Sequence, residues 1–408
     1  MTKIIPVLLG ADLNCYNVAR AFHEQYGVCS YAFGRYAVSA TKYSKIVHFT
    51  AVPDIDTDEV MLSTLKDFAQ AHPEGKKILF GCTDDYAAMI IRNKDKLPEY
   101  LCACPDERFL TAVAYKAEFY ETCEKYGIPY PKTVVLRQRT DEDAVRADAL
   151  GFAYPIVIKP SSSVEYWKHP FDGMNKVYFA ASPAEAAQII NRIYDAGYDE
   201  KMILQETIPG GDVHMRVLTA FSDSRGRVRA MCLGHTMLEE HTPKGLGNHA
   251  AIITEPVSSL PFADKIRQML EDMGYTGFSN FDIKYTGEGD DFRVFEINLR
   301  QGRSNYYLTA SGLNVARLAA EVYEDEGDDC TLVEDAYFWH HVPKSVAYTY
   351  TEDDALIAKA KSLAKQGRES SSLWYKKDLC LNPLRFLLVC ETLRRQKGKF
   401  KTYYPKKK

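Results

Sequence analysis

Two segments late in the chain alternate polar and apolar residues with a period of two, the spacing typical of β-strands. They are Phe278–Tyr285 and Arg293–Arg300. The polar residues that share a strand face are Asn280, Asp282 and Lys284 in the first segment and Glu296, Asn298 and Arg300 in the second. Two neighbouring strands of this kind would bring carboxylate, amide and basic groups together. The pattern therefore predicts a β-sheet that carries these polar side chains together on one face.

Carboxylate and amide oxygens on these strands are the ligands that Mg²⁺ prefers in proteins. Asp282 and Glu296 supply the carboxylates, and Asn298 supplies an oxygen without a third negative charge. A hairpin with a solvated polar face would also show alternating polar and apolar residues. It would not account for the choice of carboxylate and amide side chains, which are metal-type oxygen ligands. The two segments therefore predict a magnesium site at Asp282, Glu296 and Asn298.

Two earlier segments combine a strand pattern with polar groups that suit a nucleotide. Tyr154–Pro160 places Lys159 at the end of an apolar, β-branched run, where an amine needs an anionic partner such as a phosphate. Ile203–Asp212 is a strand that enters a turn, where backbone groups can pair with an adenine edge and a carboxylate can hold a ribose hydroxyl. Taken alone, each segment is also compatible with ordinary structure.

The order of these segments resembles the ATP-grasp superfamily over about residues 110–315. The resemblance implies ATP and two Mg²⁺ ions, or Mn²⁺, as cofactors, with Asp282, Glu296 and Asn298 as metal ligands. The nucleotide contacts that it implies are Lys116, Lys159, Ser161, Gln205, Glu206, Ile208 and Asp212. One departure is the phosphate loop, since many members have several glycines where this chain has Ser161–Trp167. Serine hydroxyls and backbone N–H groups would then cradle the phosphates.

ATP-grasp enzymes generally phosphorylate a carboxylate and let an amine attack the acyl phosphate, so basic residues near the metal motif are candidates for the substrate site. The candidates are Arg300, Arg303, Arg216 and Lys284. Fork-shaped guanidinium groups suit a carboxylate and the oxyanion that forms from it. For each arginine, a surface ion pair is the alternative interpretation.

The first hundred residues alternate strand and helix, which predicts a parallel sheet. Gly10-Ala11-Asp12 does not complete a GxGxxG fingerprint, so a dinucleotide site is not expected. We predict an α/β protein with α+β lobes, in which a Rossmann-like domain precedes an ATP-grasp fold. The predicted domains are an N-terminal α/β domain at 1–110, an ATP-grasp domain at 111–320 with a small lid lobe at about 130–205 and a larger lobe at 206–320, and a C-terminal extension at 321–408.

The tail from Lys376 to Lys408 contains eleven Lys or Arg residues and two acidic residues. A short helix that starts at Asn382-Pro383 carries apolar residues before Arg394-Arg395. Such a segment can rest on an anionic membrane surface, and a helix docked on the protein body is the alternative. The tail therefore leaves open both a docked helix with a solvated basic end and a peripheral contact with the inner face of the cell membrane.

Composition excludes several other classes. The net charge of −4 gives no indication of a nucleic-acid partner. No apolar run approaches the roughly 20 residues of a membrane helix, and the apolar run at Ile4–Leu9 is too short for a secretory signal. The ten cysteines include no CxxC pair. We therefore expect a cytoplasmic protein with free thiols.

Over about residues 4–320 the chain is similar to the D-aspartate ligases of bacterial peptidoglycan assembly. The segments that carry this similarity are Ile5–Gly10, Thr41–Val47, Met231–His235 and Phe295–Ser304. The resemblance implies that the β-carboxylate of D-aspartate is joined to the lysine side chain of a UDP-muramyl peptide. The alternatives are a ligase for another amino acid or peptide and a non-catalytic ATP-binding sensor. The sequence leaves the oligomeric state open.

Overall fold

The computed structural model describes residues 3–243 and 245–404, and it contains two compact units. Unit 1 consists of residues 1–107, 211–281 and 298–408, and unit 2 consists of residues 108–210 and 282–297. The end of the basic tail, Pro405–Lys408, and the side chains of Ser163 and Val164 lie outside the description. The division into domains at 1–110, 111–320 and 321–408 stays a prediction.

The N-terminal part of unit 1 is a parallel sheet whose strands are short, largely buried runs. Its elements are β1 Ile4–Leu9, α1 Leu13–Tyr26, β2 Ser30–Gly34, β3 Val47–Ala51, α2 Asp58–Ala71, β4 Lys76–Gly81, α3 Asp84–Asn93 and β5 Tyr100–Leu101. The strands lie in the order β3-β2-β1-β4-β5, and every neighbouring pair is parallel. Side chains of Asp12 and Thr83 cap α1 and α3 directly after β1 and β4. The predicted parallel α/β sheet is thus confirmed.

A second, mainly antiparallel sheet follows in unit 1. Its strands are β10 Met215–Ser222, β11 Val228–Glu239, β12 His249–Glu255, β15 Thr331–Leu332, β16 Phe338–His340 and β17 Glu369–Ser371. They lie in the order β10-β11-β12-β16-β17, with β15 beside β11. The helices of this part are α9 Ala263–Asp272, α10 Tyr306–Ala310, α11 Val315–Arg317, α12 Lys344–Tyr350, α13 Asp354–Lys365, α14 Lys376–Leu379 and α15 Pro383–Tyr403. One buried core that includes Tyr16, Phe22, Tyr307 and Trp339 packs α1 against α10, α11 and this sheet.

Unit 2 has its own sheet and its own core. Its elements are α4 Phe109–Ala112, α5 Lys116–Tyr126, β6 Thr133–Leu136, α6 Ala147–Leu150, β7 Ile156–Pro160, α7 Ser163–Tyr166, β8 Tyr178–Ala180, α8 Pro183–Asp195 and β9 Met202–Glu206. The strands form an antiparallel sheet in the order β6-β9-β7-β8. Helix α8 buries Ile190 and Ile193 in this core.

The two strands with alternating polar residues are β13 Gly277–Tyr285 and β14 Phe292–Asn298, and they are neighbours in a sheet. The division between the units falls within β13, after Phe281, and within β14, after Ile297. The residues with candidate metal and substrate roles therefore belong to both units, and each unit's contribution is described separately below.

A single helix over Phe109–Tyr126 would fit the sequence pattern, but the structure has two, α4 and α5, with a break at Val113–Tyr115. Tyr115 has an extended backbone, with φ −78° and ψ 126°. Helix α5 instead starts against Ser161, whose backbone oxygen accepts from Lys116 N and whose hydroxyl accepts from Ala117 N at 3.2 Å. A contact distant in sequence thus sets the start of the helix that carries Lys116.

The helix predicted at Asn382-Pro383 is confirmed in position but is longer than expected. Helix α15 has 21 residues, and the Asn382 side chain caps it by accepting from Arg385 N. Its inner face buries Arg385, Val389 and Phe400 in unit 1. Among the described residues, no helix is both long and apolar enough to cross a membrane.

A buried ion pair fixes the start of α15. The Arg385 guanidinium donates to Asp378 Oδ2 at 3.0 Å and to the backbone oxygens of Ser39, Ala40 and Lys42. Asp378 also accepts from Tyr16 O–H at 2.9 Å, and both charged side chains are fully buried. Since each charge depends on the other, the pair ties α15 to the N-terminal sheet of unit 1.

Arg385→Met is expected to lower the free energy of unfolding by about 3–5 kcal/mol, because it leaves the Asp378 carboxylate buried without its cation. Urea denaturation followed by tryptophan fluorescence measures this change. The matched control is Arg395→Met, an exposed arginine on the same helix, where a change below about 1 kcal/mol is expected. Equal effects in the two variants would contradict the structural role of the pair.

Candidate functional site

In unit 2, three lysines surround the carboxylate of Glu296. Lys116 Nζ lies 3.0 Å from Glu296 Oε2, and Lys159 and Lys176 act on the same carboxylate through their charges. Lys116, followed by the other two lysines, holds the pKa of Glu296 well below its usual range although burial opposes this. Glu296 is therefore ionised, as a metal ligand must be.

Lys159 occupies the end of β7 and is buried. Burial, together with the charge of Lys176, lowers the pKa of Lys159 to about 8, although Glu296 and Asp282 oppose this shift. A buried amine with a lowered pKa gains protonation when an anion binds beside it. The phosphate contact of Lys159 stays a prediction.

Ser161 is buried, and its groups are used within unit 2. Its N–H donates to Lys201 O at 2.9 Å, and its hydroxyl caps α5 through Ala117 N. The side chain therefore positions Lys116, while the predicted contact of Ser161 with a phosphate stays a prediction.

The residues predicted to hold adenine lie at and after the end of β9. Gln205 is buried and donates from Nε2 to Thr133 Oγ1 at 2.8 Å, and Glu206 Oε1 accepts from Lys132 N. Lys284 Nζ donates to the backbone oxygen of Ile208 at 2.9 Å. Lys284 thus fixes the segment on which the backbone contact with adenine was predicted.

Asp212 and Arg216 belong to unit 1. The Asp212 carboxylate accepts from Glu239 N at 2.9 Å and contacts His241 Nε2 at 3.0 Å, and it raises the pKa of His241 by hydrogen bonding. Arg216 donates to Glu255 at 3.0 Å. Burial opposes the charge of Glu255, but His235 and Arg216 outweigh it and lower the pKa of Glu255 to about 2. The predicted ribose contact of Asp212 stays a prediction.

The segment that carries Arg300 and Arg303 is clamped to the N-terminal sheet of unit 1. Gln301 Nε2 donates to Asn14 Oδ1 at 3.1 Å and to Gly81 O at 3.2 Å. Asn14 Nδ2 donates back to Gln301 O at 3.2 Å, and Asn305 donates to Asn14 at 2.8 Å. Because these amides are buried, each depends on its partner, and the network holds the arginines at the ends of β1 and β4.

Gly302 lets this segment approach β13 closely. A Cβ atom there would lie 2.6 Å from Asn280 Oδ1, which accepts from Thr219 Oγ1 at 2.8 Å. A side chain at position 302 would displace the amide of Asn280, so this position between the two arginines requires glycine.

The two arginines have acidic partners in unit 1. Arg300 Nε lies 2.7 Å from Asp84 Oδ1, and Arg303 Nη1 lies 3.1 Å from Glu240 Oε1. Burial opposes the charge of Glu240, but His341 and Arg303 outweigh it and lower the pKa of Glu240 to about 2. Burial raises the pKa of Asp12 against the opposing charges of Arg303 and Arg300. Asp12 therefore interacts electrostatically with both arginines, while its side chain also caps α1.

Asp282 and Glu296 lie in unit 2 and Asn298 lies in unit 1, and their role as metal ligands stays a prediction. Among the described residues there is no group of three or more His, Cys, Asp and Glu suited to a metal, so a site with Asp282 and Glu296 needs other oxygens. Asn298 Nδ2 donates to Asn280 O, at 3.5 Å, which leaves its amide oxygen for the ligand role. Two carboxylates and an amide, completed by phosphates and water, fit Mg²⁺.

Three charged residues that interact with the candidate site residues could not be identified from a sequence pattern. Lys176 lies in an irregular loop, Asp12 reads as a helix cap, and His341 follows a short strand. Their roles depend on tertiary neighbours, namely Glu296 for Lys176, the two arginines for Asp12, and Glu240 for His341. Neither periodicity nor motif spacing could have found them.

Comparison with known proteins identifies relatives over most of the chain, although no family model matches it. The chain is 37% identical over 415 residues to the D-aspartate ligase of Enterococcus faecium (strain Aus0004), which covers 98% of this chain and 97% of that protein.

Solved structures share the fold at low identity. The L-amino acid ligase from Bacillus licheniformis matches with a TM-score of 0.54 at 12% identity, covering 79% of this chain and 74% of that one. N5-carboxyaminoimidazole ribonucleotide synthetase from Thermus thermophilus matches with a TM-score of 0.57 at 14% identity, covering 83% of each chain. The predicted ATP-grasp fold is confirmed. Because the relative from Enterococcus faecium is matched over 98% of this chain, the protein belongs to the D-aspartate ligase family and is an ATP-dependent carboxylate–amine ligase.

Proposed function

We propose that the protein joins D-aspartate, through its β-carboxylate, to the lysine side chain of a UDP-muramyl peptide, with conversion of ATP to ADP and phosphate. The observation that carries the proposal is the set of three lysines around Glu296, which suits a nucleotide phosphate. The donor is inferred from the name of the relative that is 37% identical. The peptidoglycan acceptor is inferred from the resemblance in the sequence segments described above.

In this proposal the nucleotide contacts are the residues that the ATP-grasp resemblance implies, with Lys176 added. Lys116, Lys159 and Lys176 contact phosphates, and Ser161 supports them from the loop after β7. Gln205, Glu206 and the backbone at Ile208 face adenine, with Lys284 holding that backbone in place. Asp212 accepts a ribose hydroxyl in addition to its present donors.

Asp282, Glu296 and Asn298 would hold two Mg²⁺ ions, and Mn²⁺ accepts the same oxygen ligands. When bound, the metal neutralises phosphate charge during transfer of the phosphoryl group. The ionised state of Glu296 supports this role. Lys116 and Lys159 then position the phosphates through their own charges.

The donor amino acid carries two carboxylates and an ammonium group. Arg300 and Arg303 match the carboxylates, and Arg216 is a further candidate. Asp12, which interacts electrostatically with Arg303 and Arg300, is the candidate partner of the ammonium group. Since the clamp through Gln301 holds both arginines, they can stabilise the oxyanion that forms during amine attack without reorganising.

The proposal extends to partners and location. Amino-acid and amine substrates follow from ligase chemistry, and the acceptor is a muropeptide. A cytoplasmic protein would meet this precursor at the inner face of the cell membrane, where the basic tail would contact anionic lipid. Assembly into an oligomer is compatible with this arrangement.

Incubation with Mg²⁺-ATP, D-aspartate and a lysine-containing UDP-muramyl peptide, omitting each component in turn, tests the function. Full ADP and phosphate release is expected only with all components, together with a product heavier by one aspartyl residue. L-aspartate is the matched control donor and is expected to give no product. Product with another amino acid in place of D-aspartate would favour the alternative ligase. ATP binding without ADP release for any pair of donor and acceptor would favour the non-catalytic ATP-binding sensor.

ADP binding to the metal-free protein at pH 8 is expected to take up about half a proton at Lys159, because its free pKa is about 8 and a phosphate raises it. Affinity should accordingly fall as the pH rises above about 8, where the neutral amine must first be protonated. Calorimetry in two buffers with different ionisation enthalpies measures the uptake. Lys159→Arg is the control, since it keeps the charge but should abolish the uptake. Equal uptake in both proteins would contradict the assignment.

A further inference from the structure

The turn between α14 and α15 exposes an unusual concentration of large apolar side chains. We call it the apolar turn surface, and its residues are Trp374 (50% exposed), Leu381 (92%), Leu384 (59%), Phe386 (42%) and Leu387 (64%). The rings of Trp374 and Phe386 lie 5.7 Å apart, and the three leucines lie within six residues of Phe386 along the chain. Clustered exposed apolar residues of this size mark a binding surface.

Leu381 shows that the exposure is built into the backbone. It has a φ of +55°, in the left-handed region that non-glycine residues rarely adopt. The neighbouring Asn382 donates from Nδ2 to Tyr43 O at 2.7 Å and caps α15, which holds the turn in this conformation. A leucine kept almost fully in solvent by a strained turn has no packing role within unit 1.

The surface is held rigidly on unit 1. Arg385 lies between Leu384 and Phe386 in sequence but points inward to Asp378, which also binds Tyr16 and Lys45 N. Because Arg385 points inward, it fixes which face of α15 is exposed to solvent. The exposed leucines at positions 384 and 387 are one helical turn apart and lie on that face.

Exposed basic residues lie close to the turn. Lys376 and Lys377 begin α14, Lys45 Nζ donates to Cys380 O, and Lys42 precedes Tyr43, whose backbone oxygen accepts from Asn382. Of the acidic residues of the tail, Glu391 is paired with Arg394 and Arg395, and Asp378 is fully buried. Neither acidic residue of the tail therefore offsets the charge of the exposed lysines beside the apolar side chains.

We propose that the apolar turn surface docks the protein on an anionic lipid membrane, with the leucines entering the headgroup region and the flanking bases contacting lipid phosphates. The inference rests on the proposed function only for the membrane contact, and it assigns that contact to the α14–α15 turn within the tail. A second copy of the chain would bring two basic surfaces together, so charge complementarity favours an anionic partner. A nucleic acid would leave the leucines without a partner.

Sedimentation of the full-length protein with vesicles, in the absence of substrates, tests the proposal. Vesicles of phosphatidylcholine with phosphatidylglycerol are expected to bind the protein at least tenfold better than phosphatidylcholine alone. Leu384→Ser/Leu387→Ser should lose at least tenfold of this binding. The matched control is Leu246→Ser/Leu332→Ser, two exposed leucines elsewhere in unit 1 that should leave binding within twofold. Equal losses in the two double variants would overturn the proposal.

Tryptophan fluorescence locates the contact. Among the three tryptophans Trp339 is buried, so Trp167→Phe leaves Trp374 as the exposed one. Anionic vesicles should shift its emission to the blue, and brominated lipid should quench it. Trp374→Phe should abolish both effects.

Three results would overturn the proposal: no shift in the Trp167→Phe protein, equal binding to neutral vesicles, or lipid-free dimers that the leucine variant dissociates. The vesicle experiments contain no substrate, so their results can be interpreted even if the ligase assay fails.

Discussion

The interaction on which the candidate site depends is the pairing of Glu296 with the lysines of unit 2. Burying an amine is unfavourable without an anion, and here Lys116, Lys159 and Lys176 outnumber the two carboxylates, Glu296 and Asp282, that act on them. Burial, to which the charge of Lys176 adds, lowers the pKa of Lys159, and a phosphate beside the amine would restore its proton. The same interaction keeps Glu296 ionised for a metal.

A second constraint in unit 1 has a different physical basis. The Arg300–Arg303 segment is positioned by buried amides, since Asn14, Gln301 and Asn305 satisfy one another's hydrogen bonds. Such a network is costly to break because each lost partner leaves a buried polar group without its bond. The clamp thus fixes the segment that carries Arg300 and Arg303 on the N-terminal sheet, and the role of the two arginines in substrate binding stays a proposal.

The sequence predicts strands better than it predicts what their side chains contact. Strand β1 has its expected bounds, and the alternation that placed Asp282 and Glu296 on strands is present, because burial on one face dictates a period of two. The break before Lys116 was missed, since it depends on Ser161, which lies 44 residues beyond Ala117 along the chain. Lys176 and Asp12 were missed for the same reason. Their roles come from tertiary neighbours and leave no local pattern.

The central claim is that Glu296 organises a nucleotide and metal centre. Electron paramagnetic resonance can count the Mn²⁺ ions bound per chain in the presence of ADP, with Mn²⁺ as the observable substitute for Mg²⁺. We expect two ions in the native protein and fewer in Glu296→Gln, with an unchanged circular dichroism spectrum. Two ions bound with equal affinity by the variant would contradict the account.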